Sequence, residues 1–320
     1  MKKALLLFLC IAASQVLAQA PNRPLRPLLA YTLEEYRAID FRAAFDMPAG
    51  MEFASVADLA INSANHLIAL QRGPLPFLEF DAAGKFIRAF GDGSLFDRTH
   101  GLAIDKDDNL WVTDVNAHFV MKLDPDGNVL MTLGTPGESG VWNEASGSRH
   151  FLEPNNIAFD SVGNVYVAQG HGYSSGTPGV LKFTPDGEFI SQWGKLGHGR
   201  NEMVLAHAIA IDSNDLVYVA DRENLRIQIF DTEGKHLDQW SFNTLVCALY
   251  LHDDGFLYMT TGFDGELAKL DLNGEILGAI GRPGSANGEF GEAHGLVVDA
   301  DGNVFVSDVL NRRVQKFQRD

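Results

Sequence analysis

The chain has 320 residues, 46% of them apolar and 21% charged, which suffices for a core and excludes global disorder. Its 25 basic and 42 acidic residues leave a formal charge of −17, the opposite of the basic footprint of a nucleic-acid binder, so no nucleic-acid partner is expected. Two cysteines, Cys10 and Cys247, cannot supply a disulfide framework.

Lys2 and Lys3 precede an apolar run, Ala4 to Ala13, and small residues follow at Ala18 and Ala20. That order is a signal peptide over residues 1–20, too short to span a bilayer. The expectation is export, to a secreted or periplasmic location, with no membrane span. Leu9 before Cys10 is larger than a lipid-anchor site wants. Residues 21–40 form an N-terminal segment in which Leu33 to Ile39 suit a helical turn or two.

From there one pattern recurs six times: an alternating apolar run, an Asp or Asn, a polar turn, and a second and third run. The copies are VADLAINSANHLIALQRG from Val56, HGLAIDKDDNLWVTDV from His100, NIAFDSVGNVYVAQ from Asn156, HAIAIDSNDLVYVADREN from His207, ALYLHDDGFLYMTTG from Ala248 and HGLVVDADGNVFVSDVLN from His294. Period-two alternation means strands. Turns such as DPDGN, TPDGE, DTEGK and DLNGE lead to a fourth strand. Four strands per unit at a spacing of about 40–55 residues predict an all-β, six-bladed propeller, here over residues 41–320. The last unit ends at RVQKFQRD without its fourth strand. A strand near Phe41 to Phe45 is expected to complete it and close the ring, leaving no open edge.

Aligned on the residue that opens each first strand, the blades read Ala57, His100, Asn155, His207, Cys247 and His294. First strands line a propeller's channel, and alternate blades of six are about 120° apart around it. Three imidazoles at one height can therefore converge, and three neutral histidines with an open fourth position make a catalytic zinc arrangement. Fourteen residues on lie Asp114, Asp221 and Asp308, against Gln71, Gln169 and Thr261 in the other blades. These carboxylates suit either orientation of the imidazoles or turn and ladder hydrogen bonds.

VYVADRENLRIQIF resembles the NHL repeat, and that likeness covers residues 50 to 320. LQRGP, HGLAIDKDDNLWVTDVNAHFVMKLDP, FLEPNNIAFD and FTPDGEFISQWG, in that order, make the chain similar to the peptidyl-α-hydroxyglycine α-amidating lyase family. The resemblance implies a six-bladed propeller with zinc on its axis, cleaving a C-terminal α-hydroxyglycine into a peptide amide and glyoxylate. It implies His100, His207 and His294 as Zn2+ ligands, Arg72 as the reader of the substrate carboxylate and Arg222 as a second active-site arginine. The family's catalytic tyrosine falls in Gly170-His171-Gly172-Tyr173, with Tyr173 the first choice and His171 the second.

A carbinolamine collapses when its hydroxyl loses a proton and its nitrogen gains one. A Lewis acid, a phenol or imidazole, and an arginine fork are the groups this chemistry calls for. Departures from the family are Tyr218 and Ile229 where animal members have cysteines, Glu292 where a methionine lines the site, and Gly295 where an acidic residue is tied to a structural calcium. The last argues against calcium here. The expected partner is a small-molecule or peptide substrate, and the expected state a monomer. The alternatives are a non-catalytic NHL propeller that binds a protein or peptide, and a gluconolactonase-like hydrolase, whose calcium cage of carboxylates and amides the histidine column disfavours.

Overall fold

The computed structural model describes residues 33–172 and 177–320. The signal segment and Tyr173 lie outside the described residues.

Six four-stranded antiparallel sheets stand in a ring, and the order of strands within each follows the chain in the first five. Blade one is Ser55–Ile61, Leu67–Arg72, Phe77–Phe80 and Phe86–Phe90. The first strands of blades two to six begin at Thr99, Pro154, Ala206, Ala248 and Ala293. The aspartate turns have a local cause. In DPDGN, Asp124 Oδ1 accepts the N–H groups of Asp126 and Asn128 at 3.0 and 2.8 Å, and Gly127 takes φ 87°. Alternation then sends apolar side chains into the spaces between blades. One such space holds Trp111, Trp142, Phe151 and Phe183 from blades two and three.

The ring closes with a strand from the N-terminal side, but at a different place from the one expected. Tyr36–Ala38 is the outer strand of blade six, with Tyr36 opposite Arg319, Arg37 opposite Gln318 and Ala38 opposite Phe317. No helix forms over Leu33 to Ile39; a turn at 34–35 leads straight into this strand. Residues 40–44 form a turn, in which Ala43 and Ala44 both donate to the Asp40 carbonyl at 2.9 and 3.0 Å. Phe45 plugs the junction of blades six and one, its ring 4.8 Å from Phe80 and 6.2 Å from Phe305. Phe41 lies under the Arg313 guanidinium at 4.3 Å. The aromatic residues at 41 and 45 are packing groups, and three residues of alternation at 36–38 are too short to show as a strand in sequence. Among the described residues, no helix is long and apolar enough to cross a membrane.

Tyr36 is buried, edge-on to Tyr258, and shares a 3.0 Å hydroxyl hydrogen bond with it. Tyr36→Ala should therefore cost about 3 kcal/mol, and Phe41→Ala less than about 1 kcal/mol, in urea unfolding of the purified chain. The reverse ranking would place the closing strand at Phe41 to Phe45.

Candidate metal centre

The column residue at the start of the first strand sits in a β-bulge in every blade but the fifth. Between Ala206 and Ala208 the register against the second strand slips, so His207 is the extra residue. The same slip falls across Thr99 to Leu102 around His100, across Ala293 to Leu296 around His294, and at Ala57 and Asn155. A bulge re-aims one side chain and breaks the ladder at that point. Here the broken ladder is repaired from the second strand. Gly101 N–H donates to Thr113 Oγ1 at 2.7 Å, and that hydroxyl donates on to the Asn155 carbonyl at 2.8 Å. Gly295 N–H and Ser307 do the same toward the Ala57 carbonyl. Both glycines are needed for close approach. A Cβ at 101 would lie 2.4 Å from the Asn155 oxygen, and one at 295 would lie 2.1 Å from Asp58 Oδ1.

The three histidines converge. Their ring centroids are 4.7, 4.8 and 5.1 Å apart, and all three are buried. Each Nδ1 faces a main-chain oxygen of the next blade: His100 to Asn155 at 2.9 Å, His207 to Cys247 at 2.6 Å and His294 to Ala57 at 2.8 Å. A carbonyl only accepts, so every Nδ1 carries the proton and every Nε2 a free lone pair. The acceptors are the column residues of the odd blades. The partner that orients each imidazole is thus a neighbouring backbone, and the sequence shows no sign of it.

The aspartate column has the other role. Asp114 accepts the N–H groups of Asp97, Arg98, Asn116 and Ala117. Asp221 and Asp308 bind Arg226 and Arg313 at 2.8 and 2.9 Å. They hold turns and ladders, and no imidazole.

His100 Nε2 and His207 Nε2 are buried with no hydrogen-bond partner. The ligand atoms of His100, His207 and His294 lie within 4.8 Å of one another, so this triad could hold a metal ion. Orphaned lone pairs at one point are costly unless something occupies it. Burial, then the neighbouring histidines, hold the His100 pKa well below the ordinary range; for His207 burial is followed by Arg222. Burial and Arg72 bring His294 down to about 3. All three imidazoles are neutral at neutral pH, the state in which a histidine can bind a metal.

Above the triad the structure gathers the other expected residues that it describes. The His171 ring stands 4.8 Å from His100 and 5.6 Å from His207. Burial first, then Arg98, Arg222 and Arg72, lower its pKa to about 4. Arg72 donates from Nε to the Thr99 carbonyl at 3.1 Å, beside a cavity of about 260 Å³. Arg222 enters from blade four, 3.3 Å from Glu223 and 5.7 Å from the Phe263 ring centre. Glu153 pins the loop that carries His171, its carbonyl accepting Gly170 N–H at 2.9 Å and its carboxylate accepting Gly172 N–H. Glu292 is half-buried and feels Arg222, Arg72 and Arg98, after burial has raised its pKa.

Two members of this group are absent from the sequence reading. Arg98 is one, and its place two residues before His100, matching Glu292 before His294, was the available signal. Asp58 is the other. It fills the space beside Gly295, accepts from Leu59 and Leu102 N–H at 2.9 Å, and is pushed up to about 7 by burial. Beyond it the channel continues as a chamber of about 250 Å³. Cys247 is buried, its thiol pushed up to about 12; its carbonyl receives His207 Nδ1, and its sulfur lies 3.8 Å from the same nitrogen.

Comparison with known proteins agrees with this geometry. The NHL repeat family matches at residues 205–230 and 290–317. The probable peptidyl-α-hydroxyglycine α-amidating lyase of Caenorhabditis elegans is 27% identical over 301 residues, 82% of each chain. The rat peptidylglycine α-amidating monooxygenase is 33% identical over 244 residues, 70% of this chain and 24% of that protein. The chain is an NHL-repeat propeller related to the amidating lyases. It spans about a quarter of the rat relative and a third of the length of a mouse one. A solved streptogramin B lyase, 15% identical, shares the fold at a TM-score of 0.60 over 89% of this chain and 98% of that one.

The depressed histidines set a pH dependence. Below about 6.5 the unfolded chain takes up protons that the folded triad refuses, His294 until about 3, so stability falls as pH falls through that window. Each histidine contributes up to about 1.4 kcal/mol per pH unit. Asp58 and Glu266, both raised to about 7, pull the other way. The difference in slope is therefore the readout: urea unfolding of metal-free His294→Asn should depend less steeply on pH between 6.5 and 4 than the parent. Equal slopes would mean that His294 titrates normally in the folded protein.

Proposed function

We propose that this chain is a zinc-dependent lyase that cleaves a C-terminal α-hydroxyglycine into an amide and glyoxylate. The observation that carries the reading is the neutral triad, its lone pairs facing inward, beneath arginines from opposite sides of the ring. The kinship with proteins named as amidating lyases supports it. A divalent ion held by His100, His207 and His294 would supply Lewis acidity, lowering the pKa of a hydroxyl that it binds.

The chain's own residues supply the rest. Arg72 binds the substrate carboxylate through a guanidinium fork whose Nε is already committed to Thr99. Arg222, braced by Glu223 and Phe263, faces it from blade four and holds the opposite side of the substrate. His171 is neutral and its ring lies against two of the histidines, where it takes the hydroxyl proton; Tyr173 is the other candidate for that step. The hydroxyl's electrons become the C=O of glyoxylate, the C–N bond breaks, and the nitrogen gains a proton to leave as the amide. A carboxylate bound among the arginines offsets the charges that depress His171 and makes it a better base in the complex.

The test is glyoxylate release from N-benzoyl-α-hydroxyglycine, with zinc and with chelator. Expected results are one zinc per chain, activity lost on chelation, and at least a tenfold fall in kcat/KM for Arg72→Ala, about 1.4 kcal/mol. The base is whichever of His171→Ala and Tyr173→Phe lowers kcat more than binding. No glyoxylate from the zinc-loaded parent would overturn the reading.

Export over residues 1–20 belongs to the same proposal and rests on sequence alone. Mass spectrometry of the protein from cell exterior or periplasm should show a chain starting near Pro21 or Gln19. An intact Met1 there would refute it.

A further inference from the structure

Arg98 leads into the first strand of blade two, and its main chain is held on both sides. Its N–H donates to Asp114 Oδ2 at 2.8 Å, and its carbonyl accepts Val115 N–H at 3.1 Å. Its guanidinium makes no hydrogen bond or ion pair among the described residues. Arg72 crosses from blade one to donate to the carbonyl of Thr99, the residue next to Arg98. The two cations are thereby neighbours. After burial, Arg98 is the charge that weighs most on the Arg72 guanidinium, and also on His171.

Carboxylates nearby do not neutralise the pair. Asp114 has its oxygens taken by four N–H groups, and Glu292 makes no ion pair with either arginine. Arg222, by contrast, has Glu223 at 3.3 Å. Two half-buried guanidiniums side by side, with no carboxylate in ion-pair contact with either, repel each other, and an anion between them relieves both the repulsion and the unmade hydrogen bonds. The cavity beside Arg72, lined also by Gly73, Phe96, Asp97 and Thr99, opens at this junction.

We propose that Arg98 is a second carboxylate-binding residue, so that the substrate's carboxylate is gripped between Arg72 and Arg98 at the junction of blades one and two. The identity of that anion rests on the lyase reading; the contact rests on the geometry of the pair. Arg98 thereby sets specificity for a free carboxylate over its ester or amide.

Two measurements on the zinc-loaded protein test this. In kinetics with N-benzoyl-α-hydroxyglycine, Arg98→Gln should raise KM at least tenfold with kcat nearly unchanged, and Arg98→Lys should recover part of that loss. With the methyl ester of the same substrate, parent and Arg98→Gln should match. In calorimetric binding, hippurate should bind the parent at least tenfold more tightly than it binds Arg98→Gln, whereas hippuramide should not distinguish them. An unchanged KM and hippurate affinity in Arg98→Gln, or equal losses on acid and ester, would overturn the inference. A parent that releases no glyoxylate yet shows the hippurate difference would refute the lyase reading and leave the carboxylate site standing.

Discussion

The hydrogen bond from each imidazole Nδ1 to the backbone of the next blade is the constraint on which the centre depends. It links blades two and three, four and five, and six and one at one level of the channel. It also sets the tautomer, because a carbonyl can receive only a protonated nitrogen. Remove that acceptor and the ring is free to present either nitrogen to the axis. The β-bulge is its precondition, since only a residue freed from the ladder can turn its side chain inward while its neighbours stay paired.

This bond divides labour between alternate blades. The even blades give side chains, the odd blades give carbonyls. Ala57, Asn155 and Cys247 have unlike side chains, and what they share is the carbonyl that receives an imidazole Nδ1. The glycines after His100 and His294 leave room for Asn155 and Asp58, so the layer beneath the triad is as tightly fitted as the triad itself. Among the buried polar atoms this packing leaves unmet are the Nε2 lone pairs of His100 and His207.

Electrostatics then works in layers. Burial and the arginines keep the histidines neutral, which suits a cation below, while the guanidiniums collect above, which suits an anion. An overall acidic chain thus carries a locally basic mouth. Net charge alone says nothing of this, because it averages over a surface while the site is set by a handful of residues within a few ångströms.

Period-two alternation and the aspartate-glycine turns determine six four-stranded units, because both act between residues close in the chain. The histidine column was legible for the same reason: a repeat makes equivalent positions comparable, and three alternate blades differ from the other three. What the repeat could not show is anything that depends on contacts across blades. Tyr36–Ala38, and not Phe41–Phe45, closes the ring, because burial of Tyr36 against Tyr258 and the ladder to Arg319 outweigh a more aromatic stretch. The aspartates fourteen residues on serve arginines and turns, because their own loops reach them before any imidazole can. Arg98 and Asp58 occupy ordinary repeat positions, and only the closed ring brings them beside Arg72 and Gly295. Sequence determines what each blade is; the spacing of atoms across the channel, which no local interaction specifies, is decided when six blades share one axis.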